Sequence, residues 1–461
     1  MSAHRAPVRS DCSVYMGQQE SAHSSCSTRR GQQTNIHQTS LKCIEWMWKC
    51  NPDPWLKSEP DKWSHFSDVE NLIIEEAFTN KQTRALLDGY CIDFQDNMQV
   101  SNADSNKQRP VKRMVRKRED KDLREACFVD LPVSSGRSFG GQYGWVSPFV
   151  IEVRRDLGLE PEEVPSKKPD MIPMLVEKAA RGIIEEGKYL QKQKEAEHLA
   201  NMLKAKKNEA MEEVWKCCAY LYSLESFLYK TLNATMRLVG DKEHEQVWRS
   251  KIRTLGPFCL LLWDDPLNKK LTMKKTLYRG ADLKSEQIVK YEDLAKNSNE
   301  YRSLQAFTSC SRNRQKAEEF GNTLFIMEIL FAFIADLSPI SEYTAEEEEL
   351  ITPGVCFRVK SVKFDRKTNK HLIHLELWQR FSVSHKEDTS NMSNPTATSD
   401  LCDNDADLRG LAALLNDNDE NTRDNAATLL GLNKSDVDLN ALREAVGDAV
   451  TTLYDRHGYH A

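Results

Sequence analysis

The chain has 461 residues, of which 39% are hydrophobic and 29% are charged, and its formal net charge is -6. This length is too great for one ordinary domain, so two or three domains joined by linkers are expected. The negative charge argues against a general nucleic-acid binder, and no run of about eighteen apolar residues predicts a membrane helix. We therefore expect no membrane segment and no specific nucleic-acid partner.

The first segment, residues 1–40, is rich in Ser, Gln and Arg and almost free of large aliphatic side chains. Such a composition buries too little apolar surface to fold alone, so we predict a disordered tail. It lacks the apolar core of a secretory signal, which favours an intracellular location, cytoplasmic or nuclear. The twelve cysteines of the chain are scattered and form no CxxC pair, so we expect reduced thiols and no metal.

Residues 41–118 are predicted to form a small packed domain, because large aromatic side chains are concentrated there. Its four tryptophans are Trp46, Trp48, Trp55 and Trp63. The stretch DVENLIIEEAF predicts a helix that begins at Ser67-Asp68 and ends near Asn80, and GYCIDF predicts a strand. The basic block Lys107–Arg118 is most simply a solvated segment at the end of this domain.

Residues 119–209 are predicted to form a linker followed by a long helix. The linker is rich in Gly, Ser and Pro, as in VSSGRSFGGQYGWVSP. From Leu175 to Trp215 the chain has many Lys, Glu, Ala and Leu residues, no proline and few large apolar residues. We therefore expect a solvent-exposed helix there, or two joined helices.

Residues 210–382 are predicted to form a second domain, of the α+β class. Apolar residues first recur at helical spacing, as in VWKCCAYLYSLESFLY, and short strand-like runs such as LQAFTSCS and TLFIMEILFAF follow. Residues 383–408 are polar and predict a linker, and residues 409–461 predict a small acidic helical region. The whole chain is thus expected to be an α+β multidomain protein.

The residues Trp48, Trp63 and Glu75, followed by YCIDFQDNMQV and RPVKR, resemble the WWE domain over about Leu41 to Arg116. The resemblance implies a small half-barrel with one helix. It also implies a ligand, since ligand-binding WWE domains recognise the iso-ADP-ribose unit of poly(ADP-ribose) or related adenine nucleotides. Other WWE domains serve protein contacts, and this alternative stays open.

Three residues of this domain match the ligand-contacting pattern of the WWE family. Tyr90 would stack on adenine, the Gln99 amide would form hydrogen bonds with polar edges of the ligand, and Arg109 would pair with phosphate oxygens in a bidentate way. The alternative is that Tyr90 only fills the half-barrel and that Arg109 is a solvated surface cation.

Three short motifs of the second domain occur in a fixed order: LYRG around Arg279, FTSCS around Ser309, and an acidic run that ends in ELITPG. Together they resemble the arginine-specific mono-ADP-ribosyltransferases of the R-S-E class, over about Ala210 to Arg380. The resemblance implies a helical lead-in to a β-sheet catalytic core. It also implies NAD as the substrate that donates ADP-ribose, and protein arginines as the acceptors.

The residue types suit this chemistry. Breaking the glycosidic bond to nicotinamide passes through an oxocarbenium-like state that a carboxylate stabilises. Arg279 beside Gly280 suits bidentate contact with the pyrophosphate of NAD, and Ser309 would hold the ribose or orient the catalytic glutamate. By the same resemblance, Ser311 also belongs to the NAD site.

The acidic run contains four glutamates, Glu346 to Glu349, which by composition alone is more typical of a solvated loop. Family members read Glu-x-Glu-Val-Leu before Pro-Gly. Alignment on Pro353-Gly354 makes Glu348 catalytic, and Glu346 the residue that aligns the arginine acceptor. Side chains alternate along a strand, so this pair would share one face while Glu347 and Glu349 point away. Counting from the first apolar residue selects Glu347 and Glu349 instead, and this register stays open.

The predicted function is that of an NAD–protein-arginine ADP-ribosyltransferase whose WWE domain binds ADP-ribose-type ligands. Two alternatives remain at this point. One is a catalytically inactive scaffold that binds ADP-ribose or other proteins. The other is an NAD glycohydrolase, which would release free ADP-ribose as its main product.

Overall fold

The computed structural model describes residues 44–115, 147–159, 163–239, 241, 243–267, 272–296, 302–343 and 346–378. The predicted tail, polar linker and C-terminal acidic region lie outside these residues. The described elements form a strand-rich N-terminal region, a helical segment and a β-sheet core. This order confirms the α+β multidomain fold that the sequence predicts.

The N-terminal region is an antiparallel sheet with one helix, α1 (Asp68–Thr79), packed against it. Its strands are β1 (Ile44–Lys49), β2 (Trp63–His65), β3 (Arg84–Leu86), β4 (Tyr90–Asp93), β5 (Met98–Ser101) and β6 (Gln108–Val115), in the sheet order β2-β1-β6-β5-β4-β3. Helix α1 begins where the sequence predicts, because Ser67 caps it and exchanges hydrogen bonds with Glu70.

A buried glutamate ties α1 to the sheet. Glu75 accepts hydrogen bonds from Trp46 Nε1 (2.8 Å) and from Nε and Nη2 of Arg113 (2.9 and 2.7 Å). The hydrogen bond with Glu75 raises the pKa of Arg113 above its ordinary value. The tryptophan that pairs with the glutamate is therefore Trp46. The WWE-like pattern in the sequence contains Trp48, which lies two residues further along the same face of β1.

Changing Glu75 to glutamine is expected to destabilise the N-terminal region by about 2 kcal/mol, because Arg113 loses a charged bidentate partner. Urea unfolding followed by tryptophan fluorescence measures the change. The matched control is Glu76→Gln on the same helix, where the carboxylate is 44% exposed and its ion pair contributes little. Equal stability of the two variants would contradict the structural role of Glu75.

The described middle of the chain is helical. Its helices are α2 (Pro148–Asp156), α3 (Ile172–Tyr189), α4 (Gln193–Lys204), α5 (Met211–Ser223), α6 (Phe227–Leu238) and α7 (Glu245–Trp263). Their buried side chains form one apolar cluster, which α1 joins through Val69 and Leu72. The helical segment and the N-terminal region thus share a core. Within the described ranges, no helix is long and apolar enough to cross a membrane.

The prediction that Leu175 to Trp215 form a helix, or two joined helices, exposed to solvent is wrong about the exposure, although joined helices do occupy this range. The chain turns twice in this range, so it contains α3, α4 and the start of α5, and each helix has a buried face. Many of the buried residues are small: Ala179, Ala180, Gly182, Ala196 and Ala200. A Cβ at Gly182 would lie 1.8 Å from the carbonyl oxygen of Thr254 in α7. The scarcity of large apolar residues therefore reflects close helix packing.

The C-terminal part is a mixed sheet with the strand order β11-β12-β9-β7-β10-β14-β13-β8. Its strands are β7 (Thr272–Ala281), β8 (Arg302–Ser303), β9 (Thr308–Ser311), β10 (Thr323–Ala332), β11 (Ile334–Asp336), β12 (Glu348–Ile351), β13 (Cys356–Asp365) and β14 (Lys370–Trp378). Helix α8 (Ser285–Lys296) packs on the apolar core of the sheet, and α9 (Arg314–Glu318) packs on a smaller cluster. The sheet sets the predicted motifs on neighbouring strands.

Candidate functional site

The serines of the FTSCS motif and the second half of the acidic run lie on adjacent antiparallel strands, β9 and β12. Glu348 pairs with Ser311, and Leu350 pairs with Ser309. Because directly opposed residues share a face of the sheet, the side chains of Glu348, Ser309 and Ser311 lie on one face. All three residues are buried. The structure thus brings together the predicted catalytic glutamate and both predicted serines.

The segment before Glu348 is not the extended strand that we predicted. Strand β12 begins only at Glu348, because Glu347 has a left-handed backbone conformation with a φ of 46°. Glu346 is nevertheless buried. Its amide donates to the Tyr343 carbonyl (3.0 Å), and its carbonyl accepts from Ser311 Oγ (2.6 Å). A turn therefore fixes Glu346 beside the serines, and Ser311, predicted to bind NAD, holds the acidic segment.

Cations hold the other two glutamates. Arg312 Nη1 donates to Glu349 Oε1 (3.2 Å), and Arg312 Nε lies 3.5 Å from Glu347 Oε2. Lys275 on β7 forms a second ion pair with Glu349. Strand alternation places Glu349 on the face opposite to Glu348. Neutralisation by these cations suits Glu347 and Glu349 to a structural role.

Sequence reasoning missed Arg312. Besides the two glutamates, this side chain contacts Oδ2 of Asp336, the last residue of β11 (3.0 Å), and Oγ of Ser338, two residues further on (2.9 Å). One signal was available, since an arginine directly after FTSCS is a candidate partner for a run of glutamates that shares its site. Arg312 therefore links β9, β11 and the acidic run.

Arg279 connects the first motif to the second. It is buried near the end of β7, and its Nη1 donates to the main-chain carbonyl of Ser309 (2.6 Å). Because β7 and β9 share the pair Tyr278–Ser311, alternation places Arg279 on the other face of β7. It thus reaches the carbonyl of Ser309 and not its hydroxyl. Among the described residues, none pairs with Nε of Arg279, so this buried donor remains for a ligand.

Gly280, the residue after Arg279, has a packing role. A Cβ at this position would lie 2.3 Å from the Ala317 carbonyl oxygen and 2.6 Å from Phe320 Cβ. The missing side chain lets β7 pack against α9 and the turn that follows it. This packing gives a reason for glycine that is independent of the predicted contact with NAD.

Cys310 lies between the two serines, and burial raises the pKa of its thiol to about 12. Since the thiolate is the reactive form, Cys310 is expected to resist iodoacetamide at about pH 8 in the folded protein and to react after unfolding. Peptide mass spectrometry measures the modification, with the half-buried Cys91 as an internal control. Modification of Cys310 as fast as that of Cys91 would contradict the burial of its thiol.

The three residues predicted to contact a ligand in the N-terminal region lie on one face of its sheet. Gln99 pairs with Ile92 on β4 and with Arg109 on β6, and Tyr90 precedes Ile92 by two residues on the same strand. Gln99 Oε1 is buried, and no described residue donates to it. This face therefore retains an acceptor for a ligand.

Arg109 and Tyr90 also have partners within the protein. Arg109 Nη1 donates to two main-chain carbonyls at the end of β1 (3.0 and 2.7 Å), and its guanidinium carbon lies 5.5 Å from the centroid of the Trp48 ring. Tyr90 donates its hydroxyl to Glu70 Oε1 (2.5 Å), and burial, assisted by the Glu70 carboxylate, raises its pKa. Both side chains are thus held in fixed positions.

One cluster of the described residues has the composition of a metal site. Asp241, Glu243 and His244 offer ligand atoms within 4.8 Å of one another. Asp241 already accepts from the Glu243 amide and pairs with the His244 ring, both at 3.0 Å. These contacts account for the cluster as the turn before α7, and the absence of a metal stays a prediction.

The fold and the motifs define an ADP-ribosyltransferase-type domain that follows a small strand-rich domain. Comparison with protein-family models agrees: residues 44–113 match the WWE domain, and residues 178–382 match NAD:arginine ADP-ribosyltransferase. The chain therefore carries a WWE domain followed by a domain that matches NAD:arginine ADP-ribosyltransferase, in the order that the two resemblances predict, while membership of the R-S-E class stays a prediction. The second match includes α4 and most of α3. No curated protein sequence matches the chain.

Several solved structures of ADP-ribosyltransferases and bacterial effectors are similar to part of the chain. ADP-ribosyltransferase HopU1 of Pseudomonas syringae is 17% identical, with a TM-score of 0.32 over 39% of this chain and 87% of HopU1. The effector XopAI of Xanthomonas axonopodis is 13% identical, with a TM-score of 0.34 over 50% and 94%. The Vis toxin of Vibrio splendidus is 23% identical, with a TM-score of 0.26 over 36% and 73%. These values are too low to carry conclusions about function.

Proposed function

We propose that this protein transfers a single ADP-ribose unit from NAD to arginine side chains of proteins and releases nicotinamide. The observation that carries the proposal is the pairing of β9 with β12, which sets Glu348 on the same buried face as Ser309 in a domain of the transferase family. A run of glutamates that enters a buried strand pays a desolvation cost that a solvated loop avoids. Such a placement is typical of a reactive site.

The proposed roles follow from charge and position. As the bond from ribose to nicotinamide breaks, nicotinamide leaves with the bonding electron pair, and the Glu348 carboxylate stabilises the positive charge left on the ribose. Ser309, on the same face, orients the ribose or the carboxylate by hydrogen bonding. Arg279 lies on the other face of the sheet from Glu348 and Ser309, and its remaining buried N–H is proposed for a phosphate oxygen of NAD.

Glu346 is proposed to act on the acceptor. It is buried, and its main-chain carbonyl accepts a hydrogen bond from Ser311, the residue that pairs with Glu348. Its carboxylate aligns the guanidinium of the acceptor arginine by hydrogen bonds. Because the guanidinium is a very weak acid, the proton leaves only as the new bond to ribose forms, and Glu346 accepts it in this proposal.

The acceptor is tested with the full chain, NAD and two peptides that differ in one residue, arginine in one and lysine in the other. We expect ADP-ribose to be attached to the arginine peptide and not to the lysine peptide, with one nicotinamide released for each peptide modified. Mass spectrometry and chromatography measure both products. Free ADP-ribose as the main product would instead indicate an NAD glycohydrolase, and no turnover at all would indicate an inactive scaffold.

The WWE domain is proposed to bind an ADP-ribose-type ligand on the face that carries Tyr90, Gln99 and Arg109. Two features support this: the buried Gln99 Oε1 to which no described residue donates, and the fixed Arg109 guanidinium beside an aromatic ring. An adenine ring and phosphate groups suit such a surface. We also propose that the protein acts inside the cell and that its acceptors are proteins.

Ligand binding is tested by calorimetry of the full chain with iso-ADP-ribose. Gln99→Ala is expected to weaken binding about tenfold, because it removes one buried hydrogen bond to the ligand. The matched control is Gln95→Ala, which changes an exposed glutamine on the turn after β4. Equal affinity of the two variants for iso-ADP-ribose would show that the ligand does not bind on this face.

A further inference from the structure

A buried carboxylate joins the WWE domain to the transferase domain. Asp68, the first residue of α1, is only 1% exposed. Its Oδ1 accepts a hydrogen bond from the Tyr343 hydroxyl (2.7 Å), and its Oδ2 accepts one from the Glu225 amide (2.8 Å). These partners lie 275 and 157 residues away along the chain, in the transferase domain. Asp68 therefore spans the interface between the two domains.

The contact is rigid for physical reasons. A buried carboxylate is costly unless its oxygens are hydrogen-bonded, so displacement of either partner is unfavourable. The first turn of α1 favours a negative charge at this position. Val69 and Leu72, on the same helix, belong to the apolar core of the helical segment. Apolar packing and directed hydrogen bonds thus fix Asp68 relative to the transferase domain.

Tyr343 lies just before the acidic run. Its ring is buried, and its carbonyl accepts a hydrogen bond from the Glu346 amide (3.0 Å). The neighbouring Glu342 accepts a hydrogen bond from the Tyr220 hydroxyl in α5 (2.9 Å). The chain that leads into Glu346 is therefore anchored at two adjacent residues, one to the WWE domain and the other to the helical segment.

We propose that Asp68 is a positioning residue for the transferase reaction, because it holds Tyr343 and, through it, Glu346 and the start of β12. The inference rests on the proposed function, in which Glu346 and Glu348 are the reacting carboxylates. Asp68 itself touches neither NAD nor the acceptor. A displacement of about 1 Å in a catalytic group lowers a rate by about 10²-fold. The WWE domain is thus part of the catalytic unit, in addition to any role in ligand binding.

The test compares Asp68→Ala, Tyr343→Phe and the double variant in the full chain. Each single variant is expected to lower kcat for transfer to an arginine peptide about tenfold, while KM for NAD changes less than about twofold. The double variant is expected to match Asp68→Ala, because both changes remove the same hydrogen bond. Tyr343→Phe removes one hydroxyl only, so it tests the bond without a large packing defect.

The matched control is Asp88→Ala, at another link between the two domains. Asp88 accepts hydrogen bonds from the amides of Lys194 (2.7 Å) and Glu195 (3.2 Å) at the start of α4. This variant is expected to lower stability and to leave kcat unchanged. A kcat of Tyr343→Phe equal to that of the wild type would overturn the inference, as would equal losses in all the interface variants.

Hydrogen exchange separates failure of this inference from failure of the proposed function. Asp68→Ala is expected to speed exchange of the Glu346 amide about tenfold, whether or not the protein turns over NAD, because its acceptor on Tyr343 is no longer held. An inactive wild type would overturn the proposed function, and the exchange rate would then decide the role of Asp68. Unchanged exchange of the Glu346 amide overturns the inference.

Discussion

Replacement of Glu348 by glutamine is expected to lower the rate of nicotinamide release on the order of 10³-fold. Glutamine keeps the size and hydrogen-bonding capacity of the side chain but lacks the negative charge that stabilises the oxocarbenium-like state. Because Glu348 is buried opposite Ser311, this charge acts in a medium of low dielectric constant, where it matters most. Transfer to arginine and hydrolysis of NAD are expected to fall together, since both break the same bond.

The measurement is the initial rate of nicotinamide release by the full chain, with NAD affinity and melting temperature determined beside it. NAD affinity is expected to change less than about threefold, because the lost interaction is made mainly in the transition state. Glu347→Gln is the matched control, since that carboxylate is 47% exposed. If Glu348→Gln kept more than about a tenth of the wild-type rate, the catalytic assignment would fail.

Replacement of Glu346 by glutamine is expected to separate transfer from bond cleavage. Transfer to an arginine peptide falls about 10²-fold, whereas nicotinamide release without an acceptor stays within about threefold of the wild type. The reason is that the acceptor guanidinium needs a negative partner for alignment and for proton removal, and cleavage of the nicotinamide bond does not. Hydrogen bonds from Ser311 and to Tyr343 engage the main chain of Glu346, so the substitution leaves its backbone in place.

The separation is measured by titrating the arginine peptide and recording modified peptide and free ADP-ribose in the same reaction. Lys275→Ala provides a comparison, because Lys275 pairs with Glu349 on the opposite side of β12 and is expected to affect both products equally. An equal fall of transfer and hydrolysis in Glu346→Gln would place Glu346 in the bond-breaking step and contradict its assignment to the acceptor.

The motifs around Arg279, Ser309 and the acidic run can be recognised in the sequence because each lies within one short segment. Residues Thr308 to Ser311 of the FTSCS motif form β9, and Glu348, the third glutamate of the acidic run, opens β12, so the residue types alone indicate the chemistry of each strand. What brings Ser309 and Glu348 to one face is the pairing of two strands almost 40 residues apart in the sequence. The order of the motifs predicts such a pairing only through the family resemblance.

Other features depend on contacts that leave no local pattern. Arg312 is recognised only when β9, β11 and the acidic run are seen together. The conformation of Glu347, with its positive φ, interrupts the strand alternation on which the prediction for Glu346 was based. The bond between Asp68 and Tyr343 spans 275 residues, which no periodicity reports.

The helical segment shows a limit of a different kind. A low density of large apolar residues from Leu175 onward predicts solvent exposure, yet α3 and α4 have buried faces in which alanine and glycine alternate with larger aliphatic residues. Close approach between helices requires small side chains, as the contact of Gly182 with the Thr254 backbone shows. Composition alone does not distinguish such an interface from a solvated helix surface.

Glu348 as the catalytic carboxylate is tested most directly by the rate of nicotinamide release in four single variants, in which each glutamate from Glu346 to Glu349 is changed to glutamine. We expect only Glu348→Gln to lose this activity by more than about 10²-fold. The ion pairs of Glu349 with Lys275 and Arg312 predict that its variant is less stable but still active. Loss of activity in Glu349→Gln, with Glu348→Gln fully active, would establish the other register and contradict the assignment.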